Sequence, residues 1–186
     1  MLLSKPVNRR CLQQGVSLIE AMIALIVLSI GLLGVLLLQT KGLSSSQESI
    51  HRQTASLLAS DLLERIEANK AAVINASGNQ YVSNFNSGGL SENAACSAAG
   101  CTDVQMAITD IVQWKASLTE GLPGAQSALC FDSSPNDGTS NVASGCGVEA
   151  DGVPMVVKIW WDEKLEDGST VTRRYTVAVE NIEGIQ

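Results

Sequence analysis

The sequence predicts an α+β protein: one long N-terminal α-helix, apolar over its first half, packed on a small antiparallel β-sheet. Three observations lead there. From Val16 to Leu38 only Glu20 is charged. Ile50, Leu57, Leu58, Leu62 and Ile66 then recur at helical spacings among charged residues. Val153–Asp162 and Thr170–Glu180 read as strands flanking a turn signal, Glu166-Asp-Gly168. At 186 residues, the chain has room for one membrane helix and one modest outer domain.

The apolar run rises about 35 Å at 1.5 Å per residue, enough to cross a hydrocarbon core of about 30 Å. Lys5, Arg9 and Arg10 precede it, and Lys41 is the single charge just after it. This bias places the short N-terminal tail in the cytoplasm and the remainder outside. An ordinary secretory signal is cut after its apolar region at an Ala-x-Ala-like site, but Leu38 is followed by Gln39-Thr40-Lys41. The small residue at the border is Gly15, ahead of the apolar run. A cut there would remove a basic leader, residues 1–15, and keep the helix. Residues 16–40 would form the membrane half of that helix and residues 41–186 the outer domain. Ser44-Ser45-Ser46-Gln47-Glu48 contains no Pro or Gly, so the helix is expected to run from Val16 to about Ala72. Asp61 and Arg65 form an i,i+4 pair. Gly31 and Gly34 read as close-packing positions.

Residues 75–102 are rich in Asn, Ser, Gly and Ala and read as an exposed loop. Asp103–Leu118 reads as a second helix capped by Asp103. Val104, Ile108, Ile111, Val112 and Leu118 form its apolar face, and Trp114 packs in the core or at its edge. Gly121-Leu-Pro-Gly124 ends it. Ser127–Phe131 is a short strand, and Asp132–Gly138 is a turn-rich loop. Its clustered oxygens invite comparison with a Ca²⁺ site but lack the EF-hand spacing, which favours a plain loop. Three or four strands result. Trp160 and Trp161 point to opposite faces, so one is expected on the long helix and the other partly exposed.

The formal charge is −7, and loss of Lys5, Arg9 and Arg10 would make the remainder more acidic. That argues against binding nucleic acid through a general basic surface. Cys11 lies in the leader. Cys96, Cys101, Cys130 and Cys146 all fall on the outer side, where an even number suggests two disulfides. Four cysteines allow three pairings. Proximity and turn-rich intervening segments favour Cys96–Cys101 and Cys130–Cys146. Neither pair has Cys-x-x-Cys spacing and the sole histidine, His51, is remote, so no metal or cofactor is expected. No nucleophile–base constellation, phosphate-binding loop or metalloprotease motif is present, and no enzymatic activity is expected.

Gly15-Val16-Ser17-Leu18-Ile19-Glu20 followed by a long apolar helix resembles the class III signal of type IV pilins and type II secretion pseudopilins. The resemblance implies the pilin fold. It also implies cleavage between Gly15 and Val16 by a prepilin peptidase and methylation of the new N-terminus on Val16. Val16 stands where Phe is common. The family's Glu at the fifth mature position falls on Glu20. Cleavage would leave an α-amino group whose reference pKa, about 7.7–8.0, makes it mostly cationic. Buried ions cost several kcal/mol each alone and much less when paired. Glu20 is therefore expected to pair with the N-terminal ammonium of an adjacent subunit and set axial register. A second resemblance lies in Ala59–Lys70 and in Trp114-x3-Leu118…Leu122-Pro123-Gly124. Both are similar to type IV pilus modification proteins of the PilV kind.

Those resemblances imply a minor pilin that joins other minor pilins to prime assembly and form the fibre tip, supporting twitching motility or adhesion. The implied partners are the prepilin peptidase, other minor pilins, the major pilin and the inner-membrane assembly platform. The implied location is the inner membrane, single-pass with a periplasmic C-terminal domain, then the pilus. A minor pseudopilin of type II secretion, of the I-like kind, is the alternative. A membrane-anchored receptor or DNA-uptake subunit ranks behind both, and an anchored hydrolase lacks a nucleophile–base pair.

Overall fold

The computed structural model describes residues 17–179 apart from 99, 148, 151 and 166. Its elements run α1 (Leu18–Ala68), α2 (Lys70–Val73), α3 (Gln80–Phe85), α4 (Ala94–Ala98), α5 (Asp103–Gly121), β1 (Gln126–Phe131), β2 (Met155–Lys164) and β3 (Thr170–Val179). The chain divides into two compact units at Ser44/Ser45.

The first unit is the leading half of α1. Its apolar side chains from Leu18 to Leu38 are exposed. Its hydroxyls turn back onto the helix: Ser29 Oγ donates to Leu25 O at 2.7 Å and Thr40 Oγ1 to Leu37 O at 2.9 Å. These two hydroxyls therefore need no water, which suits an apolar surrounding. A Cβ built on Gly31 or Gly34 meets nothing within 4 Å.

In the second unit the remainder of α1 buries Ala55, Ala59, Leu62 and Ile66, spaced four, three and four apart as one helical face requires. Two alanines in that face let other backbones come close; a Cβ on Gly121 at the end of α5 would lie 3.1 Å from Thr54 Cγ2. Ile50 and Leu57 do not face the core. Leu57 is 71% exposed, so the buried stripe is shifted round the helix from the one expected. The Asp61–Arg65 pair forms at 3.0 Å. The helical segment breaks at Asn69 and resumes as α2, so its length matches expectation within a turn.

Residues 75–102 depart from the exposed loop expected. Asn79 caps α3 by accepting from Val82 N at 3.1 Å, and α3 buries Tyr81 and Phe85 completely. Phe85 packs against Trp114 with ring centroids 5.6 Å apart. Tyr81 donates to Asp110 at 2.6 Å, and Arg65 reaches the other Asp110 oxygen at 3.4 Å. Burial first, then the Asp110 carboxylate, pushes the Tyr81 phenol well above its usual pKa. The cap of α5 is Thr102 rather than Asp103. Thr102 Oγ1 accepts from Gln105 N at 3.3 Å and Gln105 Oε1 from Thr102 N at 3.0 Å, a reciprocal capping box. Trp114 lies in the core and donates from Nε1 to Leu58 O of α1 at 2.7 Å.

The sheet is antiparallel with order β1-β2-β3. Leu129, Phe131, Met155, Val157, Ile159, Trp161 and the half-buried Tyr175, Val177 and Val179 join the helices in one core. Ala128, Cys130, Val156, Lys158 and Trp160 occupy the opposite face, and they too are buried. The expectation that one tryptophan would be partly exposed fails here: Trp161 faces the core, and Trp160 is buried on the other side, where residues 132–147 contact the sheet.

Phe85→Ala is expected to cost about 3–5 kcal/mol, the loss for emptying a fully buried aromatic site. Leu57→Ala should stay within about 0.5 kcal/mol. Denaturant unfolding of the full chain in detergent, followed by tryptophan fluorescence, distinguishes the two.

Candidate functional site

The amino end of α1 is the first candidate. Ser17 O accepts from Glu20 N at 3.0 Å and from Ala21 N at 3.2 Å, so the first turn begins at Leu18 and contains Glu20. Glu20 is an exposed first-turn acid, where the helix dipole favours negative charge. The expected cleavage pair Gly15 and Val16, with the methylated Val16, lies outside the described residues. α1 is long and apolar enough to cross a membrane.

The second candidate is residues 132–147 on the outer face of the sheet. The sulfurs of Cys130 and Cys146 lie at disulfide distance, with Cα atoms 5.8 Å apart, and those of Cys96 and Cys101 likewise at 4.8 Å. Lys158 projects from the middle of β2 and its side chain is 0% exposed. Its ammonium ion-pairs with Asp132. It also donates to Asp137 Oδ1 at 2.7 Å, Ser144 O at 2.7 Å and Asp137 O at 3.2 Å. On the adjacent strand Arg174 donates to the backbone oxygens of Asp137 at 2.7 Å, Gly138 at 2.6 Å and Asn136 at 2.5 Å. The oxygens weighed as calcium ligands from sequence thus surround a lysine ammonium. Gly138 has φ +80°, and a Cβ there would sit 2.2 Å from Ser144 O; one on Gly145 (φ +72°) would sit 2.0 Å from Asp137 Oδ1. At Gly138 the backbone of the opposing limb leaves no room for a side chain, and at Gly145 the positive φ favours glycine beside the Asp137 carboxylate.

From sequence Arg174 reads only as part of the basic pair Arg173-Arg174, and Lys158 carries no assigned role. The signal was present: Met155-Val-Val-Lys-Ile-Trp-Trp161 puts one cation in a run whose other members are all apolar, which marks a strand covered on both faces. His51 is half-buried on α1, and its Nδ1 has no hydrogen-bond partner among the described residues.

Comparison with known families then bears on the helix. Residues 10–36 match the prokaryotic N-terminal methylation motif, and residues 37–112 match the family described as type IV pilin Tt1218. The two matches adjoin and span α1 through the first half of α5. Together these two matches support a type IV pilin-like family. No curated protein and no solved structure gives a significant match. The long helix packed on a small antiparallel sheet is consistent with the α+β pilin fold, the motif and the long apolar helix suggest a membrane-anchored pilin, and the motif implies prepilin peptidase processing and assembly with other pilins. The family is structural rather than enzymatic.

The Lys158 ammonium first, then the Ser134 hydroxyl, holds the Asp137 carboxyl below its ordinary pKa of 3.8. The stabilisation is therefore complete above about that value and is lost as pH falls through the lower folded-state pKa. Wild-type protein should show a Trp160 fluorescence transition below pH 3.8 as the loop loosens. Asp137→Asn should already have the loosened emission at neutral pH and show no such step. A transition of the same size in Asp137→Asn would contradict this assignment.

Proposed function

We propose that this chain is a minor type IV pilin that joins other minor pilins to prime fibre assembly and form the tip complex, supporting pilus biogenesis and twitching motility or adhesion. The observation that supports it best is Glu20 in the first turn of an apolar half-helix left exposed among the described residues, inside the match to the methylation motif. In this reading prepilin peptidase cuts between Gly15 and Val16 and Val16 is methylated. The N-terminal ammonium of an adjacent subunit pairs with Glu20 and sets register. Residues 1–15 are the leader, 16–40 the membrane and filament-core half of the helix, and 41–186 a periplasmic domain. Lys5, Arg9 and Arg10 keep the N-terminus cytoplasmic. The other partners are the major pilin and the inner-membrane assembly platform. The protein acts by binding, with no catalytic role. Cys96–Cys101 and Cys130–Cys146 are disulfides formed in the periplasm.

Deletion of the gene should abolish surface pili and twitching while exoprotein secretion continues. Loss of secretion with pili intact would instead assign the chain as an I-like type II secretion pseudopilin. Glu20→Ala should insert and be processed as wild type, yet be at least tenfold depleted from sheared fibres. Equal incorporation would remove the register role.

A further inference from the structure

Lys158 touches both ends of the loop that Cys130 and Cys146 close. Asp132 lies two residues after Cys130 and Ser144 two before Cys146, and the one buried ammonium contacts the carboxylate of the first and the carbonyl of the second, at 2.7 Å. Lys158 is itself anchored beside Cys130: on the two paired strands, Ala128 faces Lys158 and Cys130 faces Val156. Arg174 holds the middle of the loop through three backbone oxygens. Gly147 N donates to Phe131 O at 2.8 Å, which closes the base. The other pair, Cys96 and Cys101, lies five positions apart in sequence and needs no such device.

We propose that Lys158 is a positioning residue for the Cys130–Cys146 bridge: its ammonium draws residues 132 and 144 together and so brings the two sulfurs within reach before they are oxidised. The proposal rests on the disulfide pairing given above. In the exchange, the thiolate of one cysteine attacks glutathione disulfide and releases one glutathione thiolate. The second cysteine then displaces the other glutathione from the mixed disulfide. Two protein thiols lose two electrons and two protons, and one glutathione disulfide becomes two glutathione thiols. The second step is intramolecular, so its equilibrium depends on how closely the fold holds the second thiol to the first sulfur.

The test equilibrates the full mature chain, in detergent micelles, across glutathione thiol/disulfide ratios, followed by alkylation and peptide mass mapping. Lys158→Met should lower the value of [GSH]²/[GSSG] that half-reduces Cys130–Cys146 by about tenfold or more, about 30 mV for a two-electron couple. The Cys96–Cys101 midpoint should move less than about twofold, serving as the internal measure of an intact fold. An unchanged Cys130–Cys146 midpoint in a folded Lys158→Met protein overturns the proposal. If both midpoints shift, the fold has been lost, and Asp137→Asn, at an exposed carboxylate, decides. A shift of about threefold confined to Cys130–Cys146 supports the clamp, and no shift overturns it. Wild-type protein in which Cys130 and Cys146 never pair removes the pairing itself, whereas pairing with unshifted midpoints in the variants removes only the role of Lys158.

Discussion

Helix α1 carries more apolar surface than the other described residues cover, and the architecture follows from how that surface is divided. Over Ser45–Ala68 the exposed and buried faces are distinct: Ala55, Ala59, Leu62 and Ile66 enter the core, while charged residues such as Arg52 and Glu64 face outward. Full burial of Leu62 and Ile66 contributes about 1.5–3 kcal/mol each. Over Leu18–Leu38 no face is covered, although nearly every residue is apolar. A patch that size far exceeds the few hundred Å² that soluble monomers expose. It requires lipid or other helices, and a filament built from such helices supplies the second once the first is left behind.

The second unit solves a different problem, how to cover both faces of a three-stranded sheet. One face takes the helices. The other takes a single loop, which is too short and polar to supply a second hydrophobic core. Two cations and a pair of cysteines hold it instead. The ammonium of Lys158 is desolvated, and four oxygens replace its water. Such an arrangement adds little net stability compared with an apolar contact, but removing one partner costs about 3–5 kcal/mol because the other charge is stranded. It therefore specifies one loop position more strongly than it stabilises the fold. Glycines at 138 and 145 serve the same end by letting the limbs of the loop meet.

The sequence made the long helix, the second helix and the strands legible because their signals are periodic and local. The apolar half of the helix was legible from the uncharged run that follows Glu20. Three features were not. The α3 segment sits in a stretch whose composition reads as loop, and only tertiary burial of Tyr81 and Phe85 reveals it. The cap at Thr102 depends on Gln105 three residues on, a pattern overlooked beside the adjacent Asp103. The burial of Trp160 depends on a loop folding back over the sheet, and alternation along a strand says which side a residue takes but not what covers that side. Lys158 was the one residue whose type contradicted its neighbours, and it marks that cover.

The central claim is that α1 is the assembly helix of a processed pilin-like subunit. Intact mass of the protein recovered from membranes, with and without prepilin peptidase, tests it most directly. The account predicts a species beginning at N-methylated Val16 when the peptidase is present and an uncut chain when it is absent. An uncut chain retaining Cys11 in both cases would contradict it and reduce Gly15 to Glu20 to an ordinary stretch of a membrane anchor.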